Sequence, residues 1–200
     1  MSLFVTADAL PGIEQYFERA ADATPSAASM AMNKVMQGVG RTRIRQAMEE
    51  EVAFPKGYIN DKRLSVGRRA TPTQLEASLI ARQRATSLAR FDRGAVPGQR
   101  GANVMVRPGF SRAMPSAFFI RLRSGASVSE DNYNLGLAIR LKPGERIYNK
   151  KTSFNADQTL HILYGPSVDQ IMQEVSDEQT PAVLEDIETE FLRNFVRLTE

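Results

Sequence analysis

The sharpest change of period in the chain falls within residues 160–175. Leu160, Ile162 and Tyr164 alternate as in a strand, and Gly165-Pro166 interrupts them. Val168, Ile171, Met172 and Val175 then recur at i, i+3, i+4 and i+7, the apolar stripe of a helix. Ser167 with Gln170 three residues later forms a capping box. The pattern predicts a fixed corner, with sheet before it and helical packing surface after it.

Upstream, Pro11-Gly12 opens a short helical pattern over 13–23, with Ile13, Phe17, Ala20 and Ala21 on one side. Thr24-Pro25-Ser26 reads as the start of a second helix, because proline suits a first turn and threonine or serine a cap. That helix carries a narrow stripe of Ala28, Ala31, Met32, Val35, Met36 and Val39. Gly38 and Gly40 each weaken it by about 1 kcal/mol relative to alanine, so a kink is expected there. Glu49, Glu50 and Glu51 read as a solvated run rather than paired carboxylates, since neighbours on a helix point in different directions.

From 54 to 74 the period is lost. Pro55, Gly57, Gly67 and Pro72 punctuate the segment and basic residues charge it, which predicts an extended binding arm with few apolar anchors. Antiparallel strands are expected over 75–84, 103–107, 117–123, 135–141 and 160–164. Glycine- and proline-bearing connectors separate them over 94–101, 108–115, 124–134 and 143–157; the stretches 92–101 and 143–157 are polar enough to be mobile. After the corner, Thr180-Pro181 reads as the start of a further helix, in which Val183, Leu184, Ile187, Phe191, Phe195 and Leu198 form one stripe and Glu185, Asp186, Glu188 and Glu190 the other side.

The fold class is therefore α+β: N-terminal helices (1–53), a basic extended arm (54–74), a small antiparallel sheet or barrel (75–166) and C-terminal acidic helices (167–200) forming one folding unit with the sheet. With 42% hydrophobic and 24% charged residues, 200 residues can bury a core of their own. There is no run of apolar residues long enough for a membrane span, and the opening residues lack the charged start and apolar core of a secretory signal.

Charge adds what periodicity does not show. The net charge is only +3, yet residues 52–123 hold fourteen Lys/Arg against three Asp/Glu, and residues 167–200 hold two against nine. Opposite blocks of this kind suit separate partners or head-to-tail self-association, or else two solvated faces. Candidate interface residues on the basic side are Lys62, Arg63, Arg68, Arg69, Arg82, Arg84, Arg121 and Arg123. On the helical side they are Glu185, Glu188, Phe191 and Phe195. Arginine interleaved with Tyr58, Phe91 and Phe110 suits a phosphate backbone as well as acidic protein surfaces, with protein contact favoured.

Catalytic chemistry does not assemble. The chain has no cysteine, which removes disulfides and thiolate metal sites. Its one histidine, His161, lies in an apolar strand and reads as a satisfied structural residue. No nucleophile elbow or phosphate-binding glycine loop occurs, and no enzyme activity, cofactor or metal is expected.

Three stretches together resemble the minor tail protein Z, or tail-completion, family of long-tailed bacteriophages. They are Ala27-Ala28-Ser29-Met30-Ala31-Met32-Asn33-Lys34-Val35, the basic run through Arg63-Leu64 and Arg68-Arg69-Ala70-Thr71 followed by 75–81, and Pro115-Ser116-Ala117-Phe118-Phe119-Ile120. The Gly165-Pro166-Ser167-Val168 corner is similar to one in related tail proteins. The resemblance implies a structural virion protein with no catalytic residues, finishing the head-proximal end of a tail so that it can join the head. It implies a ring of copies, six around the tail axis. The implied neighbours are the tail terminator, the tail tube or other neck proteins, and also the tape-measure protein or genomic DNA, but no membrane. Location in the virion, after assembly in the host cytoplasm, follows from the same resemblance. The alternative is a basic structural protein holding the genome end in the neck.

Overall fold

A computed structural model describes residues 11–92, 94, 100–123, 134–142, 145, 153–155 and 159–200. Most of three of the expected connectors (94–101, 124–134 and 143–157) lies outside the described residues. The class is α+β, with helices at both ends of the described chain and antiparallel strands between them. Two compact units interleave along the sequence: residues 1–44, 64–80 and 176–200 form one, and residues 45–63 and 81–175 the other.

Helix α1 (Pro11–Gln37) belongs to the first unit. Ala23, Ala27, Ala31 and Val35, four residues apart, are buried, with Ala27 and Ala31 fully inaccessible. Side chains this small let the neighbouring backbone come close. Asn33 uses that proximity: its Nδ2 donates to the Ala70 carbonyl at 2.8 Å, and its Oδ1 accepts from the Ala70 amide at 2.9 Å. The segment expected to be a free arm is thus fastened at Ala70, which is itself buried. Strand β1 (Leu64–Val66) arises inside it and pairs with β2 (Leu79–Ala81). The strand expected over 75–84 is reduced to those three residues. Arg68 adds an ion pair with Glu76 across the same hairpin.

Asn33→Ala leaves both polar groups of Ala70 without their partners, and each orphaned group costs about 1–3 kcal/mol. The variant is expected to be cut by trypsin after Arg68 or Arg69 faster than the parent. An unchanged cleavage rate would show that Asn33 does not fasten the segment.

The expected restart at Thr24-Pro25 does not occur, because α1 runs through Pro25. The Thr24 hydroxyl donates to the Ala20 carbonyl at 2.6 Å, the back-bond that a threonine makes to the fourth residue before it inside a helix. The same correction applies at Thr180-Pro181. Helix α3 (Val168–Thr199) passes through Pro181, and the Thr180 hydroxyl donates to the Ser176 carbonyl at 2.7 Å. Where the kink was expected, α1 ends at Gln37, α2 (Val39–Glu51) begins after Gly38, and the Gly38 amide donates to Lys34 and Val35 carbonyls. Helix α2 buries Ile44 and Met48, with Val52 buried just past its end, and leaves Glu49–Glu51 solvated.

The second unit is built on one antiparallel sheet. Its strands are β3 (Thr86–Ser87), β4 (Arg100–Arg107), β5 (Phe110–Arg121), β6 (Leu135–Arg140), β7 (Ser153–Asn155) and β8 (Leu160–Gly165). The order is β3-β8-β6-β5-β4, with β7 also on β8, an open path among the described residues rather than a closed barrel. Phe119 on β5 faces Leu137 on β6, and Leu137 faces Leu163 on β8, so one row of apolar side chains crosses three strands. Ala117 and Phe119 are buried two residues apart, the alternation a half-buried strand requires. Before Pro115 that alternation stops: β5 and β4 continue as a mostly exposed two-stranded ribbon with Gly109 (φ 79°) at its turn and Phe110 76% exposed beside it.

The corner forms as its sequence dictates. The Gln170 amide donates to Ser167 Oγ at 3.1 Å, and the Ser167 amide donates to Gln170 Oε1 at 2.9 Å, the reciprocal pair of a capping box. Val168, Ile171 and Val175 are buried beneath it. His161, expected to be satisfied, has a buried Nδ1 without a hydrogen-bond partner among the described residues. Its strand pairing serves the backbone and leaves the ring nitrogen unattended.

Candidate functional site

The sequence-derived basic residues stand in different surroundings. Arg68 is engaged with Glu76, Lys62, Arg69 and Arg84 are exposed, and the Arg82 carbonyl accepts the Asp169 amide at 3.2 Å. Arg121 and Arg123 are exposed at the end of β5, where the Asn134 side chain clasps the Arg123 backbone by two hydrogen bonds of 2.7 Å. Arg63 differs from all of them in being buried, at 7% exposure.

Arg63 stands in an aromatic cluster made by the chain before β1 and by the 3-10 turn Leu88–Phe91. Pro55 and Gly57 (φ 73°) turn the chain so that Phe54 and Tyr58 stack with centroids 5.3 Å apart. Phe91 closes on Phe54 at 5.8 Å. The Arg63 guanidinium lies 4.1 Å from the Tyr58 ring centroid and that of Arg90 lies 5.0 Å from it. Arg63 Nη1 also donates to the Tyr58 carbonyl at 2.7 Å, and the Tyr58 hydroxyl is 3.1 Å from Thr86 Oγ1. A desolvated cation over an aromatic ring is worth about 2 kcal/mol, which helps to hold a guanidinium away from water.

Beside this cluster opens a cleft of about 380 Å³ lined by Ala53, Phe54, Pro55, Lys56, Phe91 and Met105, with Arg90 at its edge. A smaller recess of about 50 Å³ adjoins it through Pro55, Lys56 and Arg90 and reaches Tyr58, Asn60 and Arg63. One end is apolar and aromatic, and the other is lined by three basic side chains. The sequence reading singled out Tyr58, Phe91 and Arg63 but not Phe54, Lys56 or Arg90. Their shared signal, aromatic and basic residues alternating through 54–63 and again at 90–91, was visible; the fact that two segments about thirty residues apart meet was not.

Two other surfaces stand out. The β4–β5 ribbon encloses an open apolar groove of about 420 Å³ among Leu88, Val104, Val106, Phe110 and Met114, edged by Arg107 and Arg112. In the first unit, α3 exposes Leu184, Leu192 and Val196, each at least half accessible, while Phe191 and Phe195 stack on each other at 5.8 Å. Glu185 and Glu188 are exposed on the same helix. Asp186 is tied to Arg43 at 3.0 Å, and Glu190 to Lys34 at 2.8 Å. The hydrogen bond from Lys34, helped by the charges of Arg193, Lys34 and Arg197, holds the Glu190 carboxyl below the usual carboxylate range.

Among the described residues no three His, Cys, Asp or Glu side chains gather to hold a metal ion, and no helix is long and apolar enough to cross a membrane. The chain matches no protein-family model, no curated protein and no solved structure. The class defined by the fold is thus α+β, and function has to be argued from surfaces rather than from kinship.

Proposed function

We propose that the chain is a structural virion subunit that completes the head-proximal end of a phage tail, several copies forming a ring or collar through which the tail joins the head. The observation that carries this reading is the β4–β5 ribbon, which projects Phe110 at 76% exposure beside an apolar groove edged by Arg107 and Arg112. A monomer gains nothing from leaving such a side chain in water, whereas a subunit that meets a neighbour buries it. The exposed leucines of α3 add a second apolar face next to acidic side chains. The basic ribbon of one copy and the acidic helix of the next are complementary in charge, and such head-to-tail contacts close into a ring where the rotation permits. The resemblance in sequence supplies the setting.

Mass spectrometry of purified virions tests the reading. The chain is expected in each particle at a constant ring stoichiometry, and a deletion of its gene is expected to yield DNA-filled heads beside unattached tails. Virions without the chain would sink the proposal. The second reading, a structural protein that contacts the genome end, is favoured by the ribbon's pairing of exposed arginines with Phe110. Filter binding across a salt series separates the two. Affinity falling steeply with salt indicates phosphate contact, while negligible binding at physiological salt indicates protein contact alone.

A further inference from the structure

The β1–β2 hairpin leaves one strand edge open, and we infer that a second copy of the chain pairs there, β2 against β2 about a two-fold axis. This inference is independent of the virion reading. It starts from the direction in which each residue of β2 turns its backbone. The Gly67 amide donates to the Ser78 carbonyl at 2.8 Å, and the Arg82 amide donates to the Arg63 carbonyl at 2.9 Å. Backbone groups alternate in direction along a strand, so Ser78, Ile80 and Arg82 turn their amides toward β1. Leu79 and Ala81 turn theirs outward. Among the described residues no hydrogen bond reaches either of them from that side. An edge of this kind is a template for another strand.

The edge is complementary to itself. Two β2 strands laid antiparallel about Ile80 bring Leu79 of one copy opposite Ala81 of the other, and each such pair exchanges two N–H···O bonds. Every outward amide then meets a carbonyl. Ile80 meets its own counterpart on the axis. Its side chain is 55% exposed and rests on Gly67, where a Cβ would come within 2.9 Å of its Cγ2. The hairpin thus fixes the inner side of Ile80 and leaves the outer side for an apolar partner, which a second Ile80 supplies. Charge selects the direction. Arg82 and Arg84 follow the strand and Glu76 precedes it. Parallel pairing sets the arginines of both copies side by side, whereas antiparallel pairing keeps them apart. Glu76 is already paired with Arg68, so the selection comes from separating the arginines rather than from a new ion pair. Pairing also turns a two-stranded sheet, a marginal structure by itself, into a four-stranded one. The contact is isologous and closes at two copies, unlike a head-to-tail contact.

Cross-linking of the full chain tests this, because the chain has no cysteine of its own. Residues facing each other in a pair of this type have Cα atoms about 4.5 Å apart, and a disulfide accepts about 4.4–6.8 Å. Ile80→Cys is therefore expected to give a covalent dimer under mild oxidation, and nothing larger. Phe110→Cys is the control for random collision, since Phe110 is 76% exposed, and it is expected to give little dimer. Exchange of charge tests the axis. Ile80→Lys and Ile80→Glu are each expected to weaken dimerisation at least ~10-fold in sedimentation equilibrium, because like charges then face each other. Mixed together, the two variants are expected to associate. Should either charged variant unfold by circular dichroism, the smaller change Ile80→Cys still decides. The inference is overturned if Phe110→Cys cross-links as fast as Ile80→Cys, or if the parent chain stays monomeric at every concentration. It is likewise overturned if the folded Lys and Glu variants do not associate when mixed. The virion reading is judged by the composition of particles, so the two can fail separately.

Discussion

Phe119→Ala is expected to lower the unfolding free energy by about 3–5 kcal/mol, the usual cost of emptying a fully buried aromatic position. Phe119 is 1% exposed and stands at the β5 end of the row that joins β5, β6 and β8, directly opposite the inaccessible Leu137. The strands hold their backbone register through hydrogen bonds, so they cannot close on the void. Single domains have about 5–15 kcal/mol of stability in all, and one substitution here removes a large share. Urea denaturation followed by circular dichroism measures it. Phe118→Ala is the control: its side chain is on the other face of the same strand and only half-buried, and its loss is expected to cost clearly less. Equal costs for the two would mean that the row is not the core of the sheet.

Gly165→Val is expected to be the second most damaging change, at about 1–3 kcal/mol for overpacking. A Cβ on Gly165 meets Phe91 Cε2 at 2.8 Å, with two further ring atoms at 3.4 and 3.5 Å. Phe91 is 3% exposed and packed against Phe54, so the ring cannot swing aside freely. The glycine that ends β8 is therefore required by an aromatic ring far away in sequence. A double-mutant cycle tests that demand. In a Phe91→Leu background the penalty of Gly165→Val is expected to shrink, because the colliding atoms are gone. A penalty that stays the same in both backgrounds would show that the ring is not its cause.

What the sequence disclosed and what it withheld divide along range. The capping box needs only residues 167–170, and it forms as read. The alternation of Ala117 with Phe119 is set by the pleat of one strand and was equally legible, whereas that expected of Leu160, Ile162 and Tyr164 does not appear: the adjacent Ile162 and Leu163 are both buried, and Leu160 and Tyr164 are half-buried. The two Thr-Pro pairs misled because both signals of a helix start were present. The competing arrangement, a threonine hydroxyl bonding back to the fourth carbonyl before it, uses the same two residues inside a helix. The supposed arm misled for another reason. It is anchored by Tyr58, Ile59, Leu64 and Ala70, by a buried arginine and by the Asn33 side chain, none of which falls in a periodic run. The cleft was half visible, as Tyr58, Phe91 and Arg63 without their meeting point. Contacts between residues 54–63 and 88–91 depend on the whole sheet that returns the chain to that place.

The interleaving of the two units governs the order in which they can form during synthesis. Residues 45–63 and 81–175 supply everything the sheet unit contains, so it is complete once position 175 has left the ribosome. The helical unit has to wait for residues 176–200, although its first forty-four residues emerge before any strand. Chains fold as they are made, from the N-terminal side at roughly 5–20 residues per second. For the seconds between, the helical unit lacks the last of its three segments, and the newborn chain carries α1 as a ready target for chaperones.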